Sequence, residues 1–245
     1  MISFPLELFC LIIQRVDSKN DLTALARASH NLHFEAERQL YREIKLWVNS
    51  RMDYSIHLAI LNALASSSRR ASYVHSISYE PTGTQVDVKL SCALKGCTNL
   101  KRLTVFENET RISPLSCLEG VSVELESIDL STRMELSDRD VNLLGRQGRL
   151  KELEWTHVDA PRNQSATLTG YFPKLKALTL WGSINARYVL LQQTVTHLSL
   201  DSNYDHYELE DVFESIQSLK TWRPLSLRSA RLFPNLKYLW TRVRF

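Results

Sequence analysis

The feature that most limits how this chain can fold is a short apolar pattern, L-x-x-L-x-L in its ideal form, that returns at a near-constant interval. It occurs as Val74/Ile77/Tyr79, Leu100/Leu103/Val105, Leu125/Ile128/Leu130, Leu150/Leu153/Trp155, Leu175/Leu178/Leu180, Val195/Leu198/Leu200 and Leu236/Leu239/Thr241. The first positions are spaced by 26, 25, 25, 25, 20 and 41 residues, and the last interval is long enough to hide a degenerate unit. Apolar residues at alternate positions mark a half-buried strand. One such strand cannot bury its apolar face alone, so successive units must stack and share a core. Composition agrees, since 39 of the 245 residues are leucine and only seven are glycine. Phosphate-cradling loops need clustered glycines, and no G-x-G-x-x-G, G-x-x-x-x-G-K or G-x-S-x-G is present. Nucleotide enzymes and serine hydrolases are therefore disfavoured.

A period of roughly 20 to 29 residues is that of leucine-rich repeats. The expected fold is an α/β solenoid of about seven irregular repeats, parallel strands plus helices. Parallel neighbours need a crossover, and the segments Asp138 to Arg146, Asn185 to Gln192 and Tyr207 to Leu219 read as helices able to supply it. The asparagine usual three residues beyond the strand occurs only at Asn108 and Asn203, so the turns are expected to be irregular.

Ahead of the repeat, residues 1–48 read as a small all-α domain of three short helices. Leu8, Leu11, Ile12 and Arg15 recur at helical spacing; Ser18 and Asp21 have the spacing of a cap before Leu22 and Leu25; and Leu32, Ala36, Leu40 and Ile44 step by four from Ser29 onward. Residues 49–71 read as a linker helix, centred on Asp53 to Ala65 and ending in a serine-arginine run, and residues 72–245 as the repeat domain.

Thirty basic against 27 acidic residues leave a charge of +3, too small to point to nucleic acid or an anionic membrane. The longest apolar run, Leu8 to Ile13, is far short of the ~20 residues of a membrane helix. Pro5 and Glu7 interrupt what would be a signal sequence. Cys10, Cys92, Cys97 and Cys117 form no C-x-x-C pair and read as reduced thiols, most of them core residues, of a cytoplasmic or nuclear protein. No metal or other cofactor is expected. The turn holding Asp201, Asp205 and His206 lacks the further ligand that a metal site needs, and no catalytic centre is assigned to it.

Because strand side chains alternate, residues between the repeated leucines must line the exposed concave face. Its middle is acidic through Asp129, Glu152, Glu154 and Asp201, while Phe106, Trp181, Tyr238 and Trp240 add aromatic surface. An acidic centre disfavours nucleic acid, and exposed aromatics are enriched at protein interfaces. A basic protein ligand with an apolar anchor fits this face.

The first fifty residues resemble an F-box, and the order of parts resembles fungal F-box proteins with leucine-rich repeats. Phe4-Pro5-Leu6-Glu7-Leu8 is similar to that family's L-P-x-E-L opening, Ile12 and Ile13 to its next apolar position, and Asp21-Leu22-x-x-Leu25 to its D-L-x-x-L. Leu40-Tyr41-Arg42-Glu43-Ile44 resembles the L-Y-R-x-I that ends the motif in fungal members, and residues 71–77 resemble the passage into their repeats. The resemblance implies a non-enzymatic substrate-recognition subunit of an SCF-type cullin ubiquitin ligase. Pro5, Leu8, Ile12, Leu22 and Leu25 would bind a Skp-type linker, and the repeats would capture a protein to be ubiquitylated. The alternative is a non-catalytic protein-binding scaffold whose N-terminal helices only cap the solenoid.

Overall fold

The repeated strand pattern closes into a single parallel sheet. The computed structural model describes residues 6–47, 51–82, 85–106, 113–131, 137–157, 172, 174–182, 194–200, 213–221 and 231–241. Nine strands lie side by side in chain order: β1 (Glu43–Leu46), β2 (Ser76–Tyr79), β3 (Arg102–Val105), β4 (Ser127–Ser131), β5 (Glu152–His157), β6 (Ala177–Gly182), β7 (His197–Leu200), β8 (Ser218–Thr221) and β9 (Tyr238–Thr241). Every neighbouring pair is parallel, and the register aligns the same motif position throughout, from Ile77 opposite Leu103 to Leu219 opposite Leu239. This is the strand order of a solenoid-like coil, in an α/β chain with seven α-helices among the described residues. The helices are α1 (Leu6–Ile13), α2 (Lys19–Ala28), α3 (His30–Arg42), α4 (Arg51–Ala65), α5 (Ser68–Tyr73), α6 (Gln85–Leu94) and α7 (Asp138–Gly145). Among the described residues a 3₁₀ turn, Ser116–Leu118, lies between β3 and β4.

The motif leucines lie on one face and from β2 to β8 build one continuous core from Ile44 to Phe233, joined by Leu61 and Leu64 of α4 and by Leu90, Ala93 and Leu94 of α6, whereas Leu239 of β9 is 51% exposed and stays outside it. Fully burying one leucine contributes about 1.5–3 kcal/mol, so the repeated positions carry much of the stability. A common turn leads into the strands. The backbone N–H of the first motif residue donates to the carbonyl three residues earlier, at Leu100 to Cys97 (3.1 Å), Leu150 to Gln147 (3.0 Å), Leu175 to Phe172 (3.2 Å) and Leu236 to Phe233 (3.2 Å). Each of these earlier residues is buried. Gln147 is the polar one, and its side chain accepts from the Leu125 N–H at 2.8 Å, which satisfies a backbone group that would otherwise be stranded inside.

Two strands depart from the expected seven. The 41-residue interval does hold a degenerate unit, Ile216/Leu219/Thr221, which forms β8 and divides it into steps of 21 and 20. Tyr207 to Leu219 had read as a helix. Its end, Ser218–Leu219, is strand, because the i, i+3 spacing of Phe213, Ile216 and Leu219 fits either element and pairing with β7 decides it. The helical segment expected at Asn185 to Gln192 lies outside the described residues, as do Asn108 and Asn203. At the other end, Ile44 does not extend the third helix. The chain leaves α3 at Arg42 and enters β1, which pairs with β2.

The sheet and its core therefore begin at β1, ahead of the boundary drawn at residue 72. Residues 49–71, read as a linker, carry α4 and α5, whose Leu61, Leu64 and Ala71 belong to the sheet's core. The three N-terminal helices keep a separate small core of Ile13, Leu22 and Ala36, flanked by Val16, Leu25, Leu32 and Leu40. Ser18 caps α2 as its spacing predicts, accepting from the Asp21 N–H at 3.3 Å. Glu37 on α3 joins this unit to the rest. It is 4% exposed and accepts from Arg69 (2.6 Å) and Arg70 (2.7 Å) of α5. Among the described residues no helix is long and apolar enough to cross a membrane.

Candidate functional site

Two surfaces present side chains that the fold itself does not use. The first is the open face of the sheet. In-register pairing sets two rows across four strands, Arg102, Ser127, Glu152 and Ala177 in one, Thr104, Asp129, Glu154 and Thr179 in the other. These side chains, with Leu153, line a hollow of about 350 Å³. Asp129 is half-buried and directly opposite Glu154, and its carboxyl is pushed up from 3.8 to about 6, first by burial, then by the Glu154 charge, with Arg102 pulling the other way. Thr104 is only 9% exposed although it lines the hollow.

Aromatic groups flank this acidic centre. Phe106, half-buried just beyond β3, packs edge-on against Trp47 at 5.0 Å between ring centroids, and Trp47 is itself exposed. At the far end Tyr238 and Trp240 of β9 are exposed, and Lys220 stands over the Trp240 ring at 4.9 Å. Of the face residues expected from the sequence, the structure thus brings Asp129, Glu152 and Glu154 together, with Phe106 beside them and Tyr238 and Trp240 four strands away from β5. Asp201 and the Trp181 side chain lie outside the described residues.

The second surface is α1. Leu8 (43% exposed), Leu11 (58%) and Ile12 (56%) stand at i, i+3 and i+4, one apolar face turned to solvent, while Ile13 points into the helical core. Adjacent exposed side chains of this size are the mark of an interface. The other residues expected to face a partner lie elsewhere. Leu22 is 3% exposed and belongs to the small core, which takes it away from the surface, whereas Leu25 packs against that core and stays only partly buried. Their spacing could not reveal this, because a core-facing and a partner-facing leucine repeat identically along a helix. Pro5 lies outside the described residues. Leu11 belongs with Leu8 and Ile12 by the same helical stride.

Reactive groups are quiet. All four cysteines are free thiols, and burial pushes Cys97 up to about 11 and Cys117 up to about 12, so both stay protonated at neutral pH. Among the described residues no three histidine, cysteine or carboxylate side chains come together as a metal site. The Asp201, Asp205 and His206 turn lies outside the described residues. The sequence reading missed Trp47 as an aromatic neighbour. Strand alternation places Arg102 and Thr104 on this face. Trp47 could not be placed until β1 was known. The chain matches no protein-family model, and no curated protein matches it significantly.

Proposed function

We propose that this chain is the substrate-recognition subunit of an SCF-type cullin ubiquitin ligase, an F-box-like helical unit followed by leucine-rich repeats. The outward apolar face of α1 carries the reading. Leu8, Leu11 and Ile12 dock on a Skp-type linker, which in turn holds the cullin, and the open face of the sheet holds a protein substrate. The chain itself contributes no bond-making group. It acts by proximity, raising the effective concentration of a substrate lysine near the charged ubiquitin carrier. The Glu37 clamp to Arg69 and Arg70 supports this reading, because a fixed distance between the two docking surfaces is what proximity requires. Such a protein works in the cytoplasm or nucleus.

The test is co-expression with a Skp-type linker followed by size-exclusion chromatography. The wild-type chain is expected to elute as an equimolar complex, and Leu8→Asp/Ile12→Asp to elute alone while keeping its thermal transition. These side chains are exposed, so their replacement spares the core. A second reading rests on the unbroken passage from α3 into β1 and on Tyr41 of α3 packing against the sheet's core. In it the three helices cover the end of the coil and the protein is a non-catalytic binding scaffold. Failure of both folded variants to bind any linker favours that reading.

A further inference from the structure

We propose that the outer edge of β9 is an interface between two copies of this chain, joined about a two-fold axis into one continuous sheet. Such a contact neither needs the ligase reading nor supplies it. A coil of stacked units requires a cover at each end, because the last unit has no neighbour to bury its apolar face. The two ends of this sheet differ. At β1 the inward-facing Ile44 and Leu46 are buried, and Tyr41 of α3 packs on the same core. At β9 the inward position is Leu239, 51% exposed, although the equivalent residue in every strand from Ile77 of β2 to Leu219 of β8 is at most 2% exposed. Tyr238 (70% exposed) and Trp240 (49%) flank it on the other face of the strand. Among the described residues no strand pairs with the outer edge of β9.

The backbone points the same way independently of the side chains. Tyr238 donates its N–H to the Gln217 carbonyl, just ahead of β8, at 3.0 Å, so by alternation the N–H and C=O of Leu239 point out of the sheet. An open row of this kind is a template for another strand. Antiparallel pairing about Leu239 sets Leu239 against its own copy, exchanging two hydrogen bonds, with Tyr238 opposite Trp240 and Lys237 opposite Thr241. Apolar residues meet apolar residues and no like charges oppose, so the strand is complementary to its own reverse. A head-to-tail contact would need the edge of β1, whose apolar positions are already covered, and the closed two-fold dimer is the symmetric arrangement left. An aromatic side chain buries ~150–250 Å² when fully covered, so these two half-covered rings and Leu239 supply about half of the ~800 Å² that each partner gives a standard interface. The association is therefore expected to be micromolar rather than nanomolar.

The test is the molar mass of the full chain, measured by light scattering during gel filtration from about 1 to about 100 μM. The mass is expected to rise from one chain to two, with a dissociation constant on the order of 10 μM. Leu239→Lys and Leu239→Glu, at a half-exposed position, are each expected to keep the wild-type melt and to stay monomeric throughout, because the two-fold sets like charges opposite each other. Mixed in equal amounts, the two variants are expected to recover the dimer, since opposite charges then meet. Should either variant melt early, Tyr238→Ser decides: it is expected to weaken association about tenfold, and an unchanged dissociation constant overturns the proposal. Leu8→Asp/Ile12→Asp should dimerise as the wild type does, which separates this edge from the apolar face of α1. A wild-type chain that is monomeric at the highest concentration, a dimer that survives both Leu239 substitutions, an equal mixture that stays monomeric, or a dimer lost with the α1 double substitution overturns the proposal. Linker binding is read separately, so a dimer that binds no linker sinks the ligase reading alone, and a monomer that binds it sinks the dimer alone.

Discussion

At Asp129 the open face works against the fold. Its carboxyl is raised from 3.8 to about 6, so the folded chain holds a proton more tightly than the unfolded chain does. Stability therefore falls as pH rises from about 4 to about 6, and above that the ionised group stays a burden. Asp129→Asn is expected to stabilise the chain at pH 7.5 by about 1 kcal/mol, once solvent screening of a half-exposed carboxylate is allowed for. That corresponds to about 2–4 °C in a thermal melt, and the gain should vanish at pH 4. A melt unchanged at both values would mean that the raised affinity for protons is not coupled to folding. Residues of this kind were legible to the extent that strand alternation assigns faces, which put Asp129, Glu152 and Glu154 together in advance. Leu22 shows the limit. Helical spacing says that a leucine shares a face with its neighbours and not whether that face meets a core or a partner.

Between elements, a buried carboxylate ties the helical unit to α5. Glu37 is buried on α3 and holds two arginines of α5, with Arg69 also over the Phe34 ring at 4.8 Å and Arg70 near the Tyr41 ring at 5.7 Å. Removing one side of a buried ion pair strands the other, but both guanidinium groups here reach solvent, so Glu37→Ala is expected to cost about 2 kcal/mol rather than the upper end of the range. A urea-unfolding cycle with Arg69→Gln/Arg70→Gln should show strongly non-additive effects, and additive ones would reduce the clamp to two surface ion pairs. Elements with the full motif were legible from sequence because a six-residue pattern repeated at 25 residues leaves few alternatives. β1 and β8 were not. Each is four residues long and adjoins apolar positions at helical spacing, Leu40 to Ile44 in one case and Phe213, Ile216 and Leu219 in the other. Only the neighbouring strand settles such a choice.

Across the whole molecule, stability is unevenly shared. The sheet's core runs unbroken from Ile44 to Phe233, and each unit touches mainly the next, so its strength accumulates along the chain. Among the described residues the helical unit has three buried apolar side chains, Ile13, Leu22 and Ala36, and a segment of roughly forty residues with so small a core is marginal without support from its neighbour. Leu22→Ala removes the central one, at a cost of about 2–4 kcal/mol. That is close to all the stability such a unit can own, whereas the sheet, which does not contact Leu22 in its core, keeps its own. Native-state hydrogen exchange of Leu22→Ala should then show α1 and α2 losing protection while β3 to β6 retain it, a sub-global opening rather than a uniform loss. The same substitution should abolish linker binding by a route different from Leu8→Asp/Ile12→Asp, which removes contacts and leaves protection intact. Uniform loss of protection would mean instead that the clamp at Glu37 makes helices and sheet one cooperative body, and that the distance between the two docking surfaces is set by folding itself.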